Sequence, residues 1–156
     1  MKKLLGVVMV LGLVLVLGRV AIAADTNNVT VTANVVGTCR FNSATSALAF
    51  GALDPSSGAP ATATAAPTFW CTRNATYSVT DDDGLHEVAV DGNRMEHTGT
   101  AGNFIAYGFS YNPTTGSGLG RTTPITLNIS GTVAFADYQN AMAGDYADTV
   151  VISINP

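Results

Sequence analysis

The sequence IAYGFSY, residues 105–111, alternates large apolar or aromatic side chains with small ones. Successive side chains of a β-strand point to opposite faces of the sheet, so the odd-numbered positions from Ile105 to Tyr111 share one face. Aromatic and β-branched residues suit the pleated, half-buried surface of a sheet. The stretch therefore predicts a strand with one buried face.

The same two-residue period recurs along the chain, whereas the 3.6-residue period of a long helix is absent from the sequence. The other alternating runs are Val29–Val35, Ile125–Ser130 and Val150–Ile154. Turn-forming residues separate the runs, as in Asp54–Gly58, Asp81–Gly84, Asp91–Asn93, Asn112–Gly116 and Ala143–Asp145. Many short strands joined by such turns predict a single all-β domain of the sandwich type. The Ala/Thr-rich stretch Thr62–Ala66 fits either a strand or a loop.

A basic start, an apolar run over residues 4–17 and the A-x-A site in Ala21-Ile22-Ala23-Ala24 follow one another at the N-terminus. This order predicts a secretory signal peptide over residues 1–24, cleaved after Ala23 or Ala24. A transmembrane anchor needs roughly 20 apolar residues, and this run is too short. We therefore expect an exported protein that has no stable membrane anchor.

Residues 25–156 carry four arginines and eleven acidic residues, which gives a net charge of −7. Nucleic acids and anionic lipids are bound by basic surfaces, so neither is an expected partner. No lysine occurs after Lys3. Its absence excludes a Walker lysine, a Schiff-base lysine and a Lys–Asn isopeptide bond.

Two cysteines, Cys39 and Cys71, remain in this exported region. A lone pair in an oxidising compartment favours one structural disulfide. It would close a loop of 32 residues, which the chain-entropy model values at roughly 3–4 kcal/mol. Trp70, beside Cys71, is expected to pack in the core next to the disulfide, with a surface position that stacks on sugars as the alternative.

The sequence contains no motif that predicts catalysis, metal binding or a cofactor. The two histidines, His86 and His97, have no spacing typical of a zinc site. The acidic run Asp81–Asp83 lacks the spacing and the final glutamate of a calcium loop, so a solvated hairpin turn is expected there. No G-x-S-x-G motif marks a nucleophilic serine, although any acidic chain offers the paired carboxylates that glycosidases use. We therefore expect a protein that is not an enzyme.

The C-terminal sequence AGDYADTVVISI, residues 143–154, resembles the C-terminal signature of spore coat protein U domains. Further pieces resemble this family in order and spacing: Cys39, Phe50-Gly51, Cys71-Thr72, Asn93-Arg94-Met95 and the strand at residues 105–111. The resemblance covers essentially all of residues 25–156. The chain departs from it in its ending, Asn155-Pro156, where members often have an aromatic residue. The family includes subunits of archaic chaperone–usher pili.

The resemblance implies an incomplete immunoglobulin-like β-sandwich, which a donor strand from a neighbouring subunit or a chaperone completes. Residues 38–156 would form the sandwich, and residues 25–37 would be the N-terminal donor segment. The donor side chains would be Val29, Val31, Ala33 and Val35, with an ordinary first strand packed in the same chain as the alternative. Three residues of the last strand, Val150, Ile152 and Ile154, would border the groove and contact the chaperone strand.

The resemblance also implies a structural function. The chain would be a subunit of a chaperone–usher pilus that polymerises by donor-strand complementation and supports adhesion and biofilm formation. Its partners would be copies of itself or related pilins, a periplasmic chaperone and an outer-membrane usher, and it would reach the cell surface through the periplasm. A non-polymerising coat or matrix protein, a carbohydrate- or surface-binding module and a secreted hydrolase are the alternatives.

Overall fold

The computed structural model describes residues 24–89 and 92–156. The predicted signal peptide, residues 1–24, lies outside these ranges except for its last residue. The described residues contain one single-turn helix, α1 (Phe135–Tyr138), and twelve strands. The strands are β1 (Cys39–Phe41), β2 (Ala61–Ala65), β3 (Thr68–Cys71), β4 (Thr76–Asp81), β5 (Arg94–His97), β6 (Phe104–Ala106), β7 (Gly108–Asn112), β8 (Thr115–Ser117), β9 (Ile125–Thr126), β10 (Asn128–Val133), β11 (Tyr146–Ala147) and β12 (Ile152–Asn155). No helix in the described ranges is long and apolar enough to cross a membrane.

The strand pairs are antiparallel and form four three-stranded groups. The orders are β1-β3-β9, β2-β10-β7, β11-β5-β6 and β12-β4-β8. This nearly all-β, antiparallel architecture confirms the predicted fold class and is consistent with an immunoglobulin-like sandwich. Strand β2 also settles the Ala/Thr-rich stretch, which is a strand over Ala61–Ala65.

Two of the alternating runs change strand partners in their middle. The run at residues 105–111 divides at Tyr107, because β6 pairs with β5 whereas β7 pairs with β10. At this point the N–H of Tyr107 donates to the carbonyl oxygen of Asn93 over 3.0 Å. The next run divides at Leu127, whose N–H donates to the carbonyl oxygen of Pro67 over 2.8 Å. Each of these two stretches therefore forms two strands that belong to different groups, although its alternating pattern continues without a break.

Burial follows the predicted alternation. In β10, Ile129, Gly131 and Val133 are buried and the residues between them are exposed. The buried side chains form two core clusters, the first of which contains Phe69, Cys71, Tyr77, Val79, Leu127 and Ile129. The second contains Ile105, Tyr107, Val133 and Tyr138. Phe109 packs against both clusters, which makes the interior continuous.

The predicted disulfide is present. Cys39 and Cys71 are bonded and lie opposite each other in the β1–β3 ladder. The expected core position of Trp70 is wrong, because its neighbours Phe69 and Cys71 take the buried face of β3 and leave Trp70 half-buried on the other face. The guanidinium carbon of Arg121 lies 5.6 Å from the centroid of the Trp70 ring.

Candidate strand-binding groove

An open groove with a volume of about 660 Å³ runs beside the C-terminal part of the chain. Residues 43–48, which form no strand, contribute one wall, and residues 146–152 contribute the other. The apolar floor is formed by Phe41, Leu48, Phe50, Met95, Tyr107, Phe109 and Ile129. These side chains belong to the two core clusters or pack against them. The interior of the sandwich is therefore open to the surface along the groove.

The strands at the C-terminal wall have one partner each. Among the described residues, β11 pairs with β5 and β12 pairs with β4, and neither has a second neighbour. An unpaired strand edge presents a row of N–H and C=O groups that another strand can pair with. The groove thus combines an apolar floor with an uncovered strand edge, which are the two requirements for binding an added β-strand.

Gly131 allows two floor side chains to lie close to β10. A Cβ atom at this position would be 2.7 Å from Cζ of Phe50 and 2.8 Å from Cδ2 of Leu48. Carbon atoms in contact are normally separated by about 3.5–4.0 Å. The residue type at 131 therefore determines how deeply Phe50 and Leu48 pack. The sequence alone does not reveal this role, because Phe50 and Leu48 are distant from Gly131 along the chain.

A buried hydrogen bond fixes one end of the groove. The hydroxyl of Tyr107 donates to Oδ2 of Asp148 over 2.6 Å, and Oδ1 of Asp148 accepts the N–H of Leu85 over 3.0 Å. Burial, together with the bond to the Asp148 carboxylate, raises the pKa of Tyr107 above its ordinary value of 10.0. The Tyr107 hydroxyl is therefore neutral at physiological pH and acts as a donor.

The acidic run Asp81–Asp83 is more than the solvated turn that the sequence predicts. Oδ1 of Asp81 accepts the hydroxyl of Tyr111 over 2.9 Å, and Oδ1 of Asp82 accepts the N–H of Val151 over 2.8 Å. The carbonyl oxygen of Asp83 accepts a 2.6 Å bond from Nδ2 of Asn93. The run therefore ties the end of β4 to the C-terminal wall of the groove. These partners lie up to 69 residues away in sequence, so the local pattern could not reveal them.

Of the three residues predicted at the groove edge, Ile152 and Ile154 lie in the last strand, β12, and Val150 precedes it. Val150 and Ile152 line the groove. Ile154 is half-buried against the first core cluster and does not line the groove. The structure thus brings two of the three side chains into the groove wall.

The predicted donor residues are exposed. Residues 24–38 form no strand, so the strand that alternation predicts at Val29–Val35 is not formed in this chain. The side chains of Val29, Val31 and Val35 are 78%, 87% and 80% exposed, and Ala33 is also exposed.

The histidines make local contacts near the start of β11. Nδ1 of His97 accepts the N–H groups of Gly99 and Thr100, and its ring packs edge-on against Tyr146 with 5.1 Å between centroids. Nε2 of His86 lies 3.6 Å from Oε2 of Glu96. No group of three or more His, Cys, Asp and Glu side chains within residues 24–89 and 92–156 could hold a metal ion.

The fold and the groove together define an all-β, antiparallel domain in which an open apolar groove lies beside strands with one partner each. The sequence profile of the Spore Coat Protein U domain matches residues 25–153. The chain belongs to the Spore Coat Protein U domain family. The profile begins at the first residue after the predicted signal peptide and includes the exposed N-terminal segment as well as the sandwich.

Curated proteins and solved structures give weaker similarities than the family profile does. No curated protein matches the chain. Among solved structures, the CsuC–CsuE chaperone–tip adhesion subunit pre-assembly complex of archaic chaperone–usher Csu pili from Acinetobacter baumannii matches with a TM-score of 0.45 and 21% sequence identity. The match covers 77% of this chain and 40% of the other chain, so this chain spans less than half of that one.

Proposed function

We propose that this protein is a structural, non-catalytic subunit of a surface fibre, assembled by donor-strand complementation through a chaperone–usher pathway. The observation that carries the proposal is the groove, which combines an apolar floor with an uncovered edge along β11 and β12. A strand inserted there would complete the sandwich. Membership of the Spore Coat Protein U domain family supports this reading.

The N-terminal segment of a second copy fits the groove in length and pattern. The groove wall at residues 146–152 and the stretch Val29–Val35 each contain seven residues. An extended chain rises about 3.3 Å per residue, so both stretches span roughly 20 Å. In an inserted strand, the alternating donor side chains would face the floor. The polar residues between them, Thr30, Thr32 and Asn34, would face solvent.

Burial of the donor side chains supplies the driving force. Full burial of one valine stabilises by about 1.5–3 kcal/mol, and three of the four donor residues are valines. The added ladder of hydrogen bonds satisfies the open edges of β11 and β12. The uncovered groove would be an aggregation hazard in a free subunit. A periplasmic chaperone that lends a strand to the edge at Val150, Ile152 and Ile154 would protect it until the usher catalyses exchange.

The proposed route determines the location of the protein. Residues 1–24 would direct export and be removed, residues 25–37 would serve as donor, and residues 38–156 would form the sandwich. The subunit would pass through the periplasm and an outer-membrane usher to the cell surface. Fibres built from copies of this chain or from related pilins would support adhesion and biofilm formation. The net charge of −7 over residues 25–156 and the absence of lysine after Lys3 argue against a nucleic-acid partner.

The test is co-expression of the full chain with a candidate periplasmic chaperone, followed by SDS gels of periplasmic and surface fractions with and without boiling. We expect a ladder of heat-dissociable multimers. A Val31→Asp/Val35→Asp variant should lose the ladder, because each substitution places a charge on the apolar floor. The control is Thr30→Asp/Thr32→Asp, which adds the same charge to the opposite face and should keep the ladder.

Two results would contradict the proposal. Equal ladders from the two variants would show that the segment is not the donor. A stable monomer that needs no chaperone and forms no multimers would favour the non-polymerising coat, matrix or binding-module alternatives.

A further inference from the structure

We propose that successive copies of this chain also meet through an electrostatic contact between two oppositely charged ends of the sandwich. The inference rests on the proposed function, because it describes the joint that an inserted donor strand would create. It concerns charged residues at the two ends of the sandwich, one group of which borders the end of the groove at Asp148, and its partner is a second copy of the same chain.

The first surface, the basic pole, is the end of the domain from which the N-terminal segment emerges. It consists of residues 36–40, 71–75, 118–121 and 155–156. Main-chain hydrogen bonds hold these segments together: Thr72 N–H to Thr38 O (2.9 Å), Asn74 N–H to Gly118 O (2.8 Å) and Gly120 N–H to Cys71 O (3.0 Å). A Cβ atom on Gly37 would lie 3.4 Å from Cβ of Ala75 and 4.0 Å from Cβ of Pro156, which places the chain end at the same pole.

The basic pole carries a concentrated positive charge. Three of the four arginines that follow residue 24 lie there, namely Arg40, Arg73 and Arg121, and all three are exposed. The four segments contain no aspartate or glutamate. Among the described residues, the one ion pair joins His86 to Glu96, so no carboxylate of the same subunit pairs with these arginines.

The second surface, the acidic pole, lies at the opposite end of β4. This strand begins at Thr76, next to the basic pole, and its six residues end at Asp81, roughly 17 Å away. The acidic pole consists of Asp81, Asp82, Asp83, Glu87, Glu96, Asp145 and Asp148, with His86 and His97 among them. Contacts described above connect it: Asp148 accepts the N–H of Leu85, and the carbonyl oxygen of Asp145 accepts the N–H of Thr98 over 2.8 Å. Its one described arginine, Arg94, donates to the carbonyl oxygen of His86 over 2.9 Å.

The short connection between donor and domain forces the poles of two copies together. Thr38 is three positions after Val35, and an extended chain advances at most about 3.6 Å per residue. If Val35 of one copy occupies the groove of the next, its basic pole lies within about 11 Å of that groove. This distance is close to the Debye length of about 8 Å at physiological ionic strength, so the charges of the two copies interact.

The charges also select the orientation of the donor strand. The groove wall begins at Tyr146, which follows Asp145 of the acidic pole, and runs toward the basic pole at residues 155–156. A donor antiparallel to this wall places Val35 near Tyr146, and the basic pole of one copy then faces the acidic pole of the next. A parallel donor would bring two basic poles together, which repel each other. Complementary charges therefore favour a head-to-tail joint of antiparallel strands.

The experiment follows multimer formation by the full chain, released from its co-expressed chaperone, on unboiled SDS gels over time. Neutralising the basic pole with Arg73→Gln/Arg121→Gln should slow assembly about tenfold at about 50 mM salt, because charge complementarity mainly raises association rates. At about 500 mM salt the difference from wild type should disappear, since the charges are screened. The matched control, Thr64→Glu/Ser110→Glu, changes the net charge equally at exposed positions of the β2-β10-β7 group and should assemble at the wild-type rate.

A charge swap makes the test independent of folding defects. Arg73→Glu/Arg121→Glu gives the basic pole a net charge of −1 and should assemble more slowly still. Adding Glu87→Arg/Asp145→Arg lowers the net charge of the acidic pole from −6 to −2 and should recover part of the rate, because the repulsion between the two poles is weaker. Equal rates and equal salt dependence for wild type and the Gln variant, or no rescue by the swap, would overturn the contact between poles while the fibre proposal stands. A wild-type chain that forms no multimers would overturn the fibre proposal, and the contact with it.

Discussion

Removal of the disulfide should destabilise the protein by a predictable amount. The Cys39–Cys71 bond closes a loop with a sequence separation of 32 residues. The chain-entropy model values this loop at about 3.7 kcal/mol at 25 °C. Cys71 has no exposed surface, so replacing its sulfur with a smaller group adds about 1 kcal/mol for the space left behind. We therefore expect Cys39→Ala/Cys71→Ala to lower the free energy of unfolding by about 4–5 kcal/mol.

Thermal unfolding followed by circular dichroism measures this effect. For a domain of this size, 1 kcal/mol corresponds to roughly 4 °C in Tm, so the variant should melt about 15–20 °C below the wild type. A reductant provides an internal control, because it should lower the Tm of the wild type and leave that of the variant unchanged. A variant with the Tm of the oxidised wild type would refute the reasoning, since the closed loop would then contribute nothing to stability.

Three further substitutions test the core, the groove and its polar end. Leu127→Ala truncates a fully buried side chain and should lower the free energy of unfolding in urea by about 2–5 kcal/mol. Thr126→Ala, at the exposed neighbouring position, should change it little. Equal effects of the two substitutions would contradict the position of Leu127 in the core. Gly131→Ala places a methyl group against Phe50 and Leu48 and should lower the free energy of unfolding by about 1–3 kcal/mol. A peptide with the sequence of residues 25–37 should bind this variant more weakly than it binds the wild type. Unchanged stability and binding would show that the floor of the groove is not packed against residue 131. Tyr107→Phe removes the bond to Asp148 and should cost about 1 kcal/mol at neutral pH. The pKa of Tyr107 is raised in the folded state, so the stabilisation by the neutral hydroxyl is present below pH 10 and is lost as pH rises further. The free energy of unfolding of the wild type should therefore fall more steeply above pH 10 than that of the variant, by about 1.4 kcal/mol per pH unit. Parallel plots of unfolding free energy against pH for the two proteins would contradict the assignment.

The sequence predicts the features of the fold that depend on local pattern. Alternation in β10 predicts which side chains are buried, and the lone pair of cysteines predicts the disulfide. The points where strands change partners, at Tyr107 and Leu127, could not be predicted, because the period-2 pattern continues through both. Partner choice depends on long-range pairing, which leaves no trace in the alternation of a single strand.

The same distinction applies to the candidate site. The alternating valines of the N-terminal segment and the groove edge at Val150 and Ile152 are visible in the sequence, since both depend on the face of a strand. The role of Asp82 is not visible in the sequence, because its hydrogen-bond partner Val151 lies 69 residues away along the chain. The position of Trp70 was predicted wrongly because its two neighbours, which are also apolar, occupy the buried face of β3.

The disulfide also has a consequence for how the domain transmits a force applied to its N-terminal segment. A pull on the residues before Thr38 reaches β1 at Cys39, which is bonded to Cys71 at the end of β3. β3 pairs with both β1 and β9. The force therefore passes through a covalent bond into the interior of a sheet and bypasses the few hydrogen bonds of the three-residue β1. As long as the cysteines stay oxidised, such a pull cannot separate β1 from β3 at Cys39.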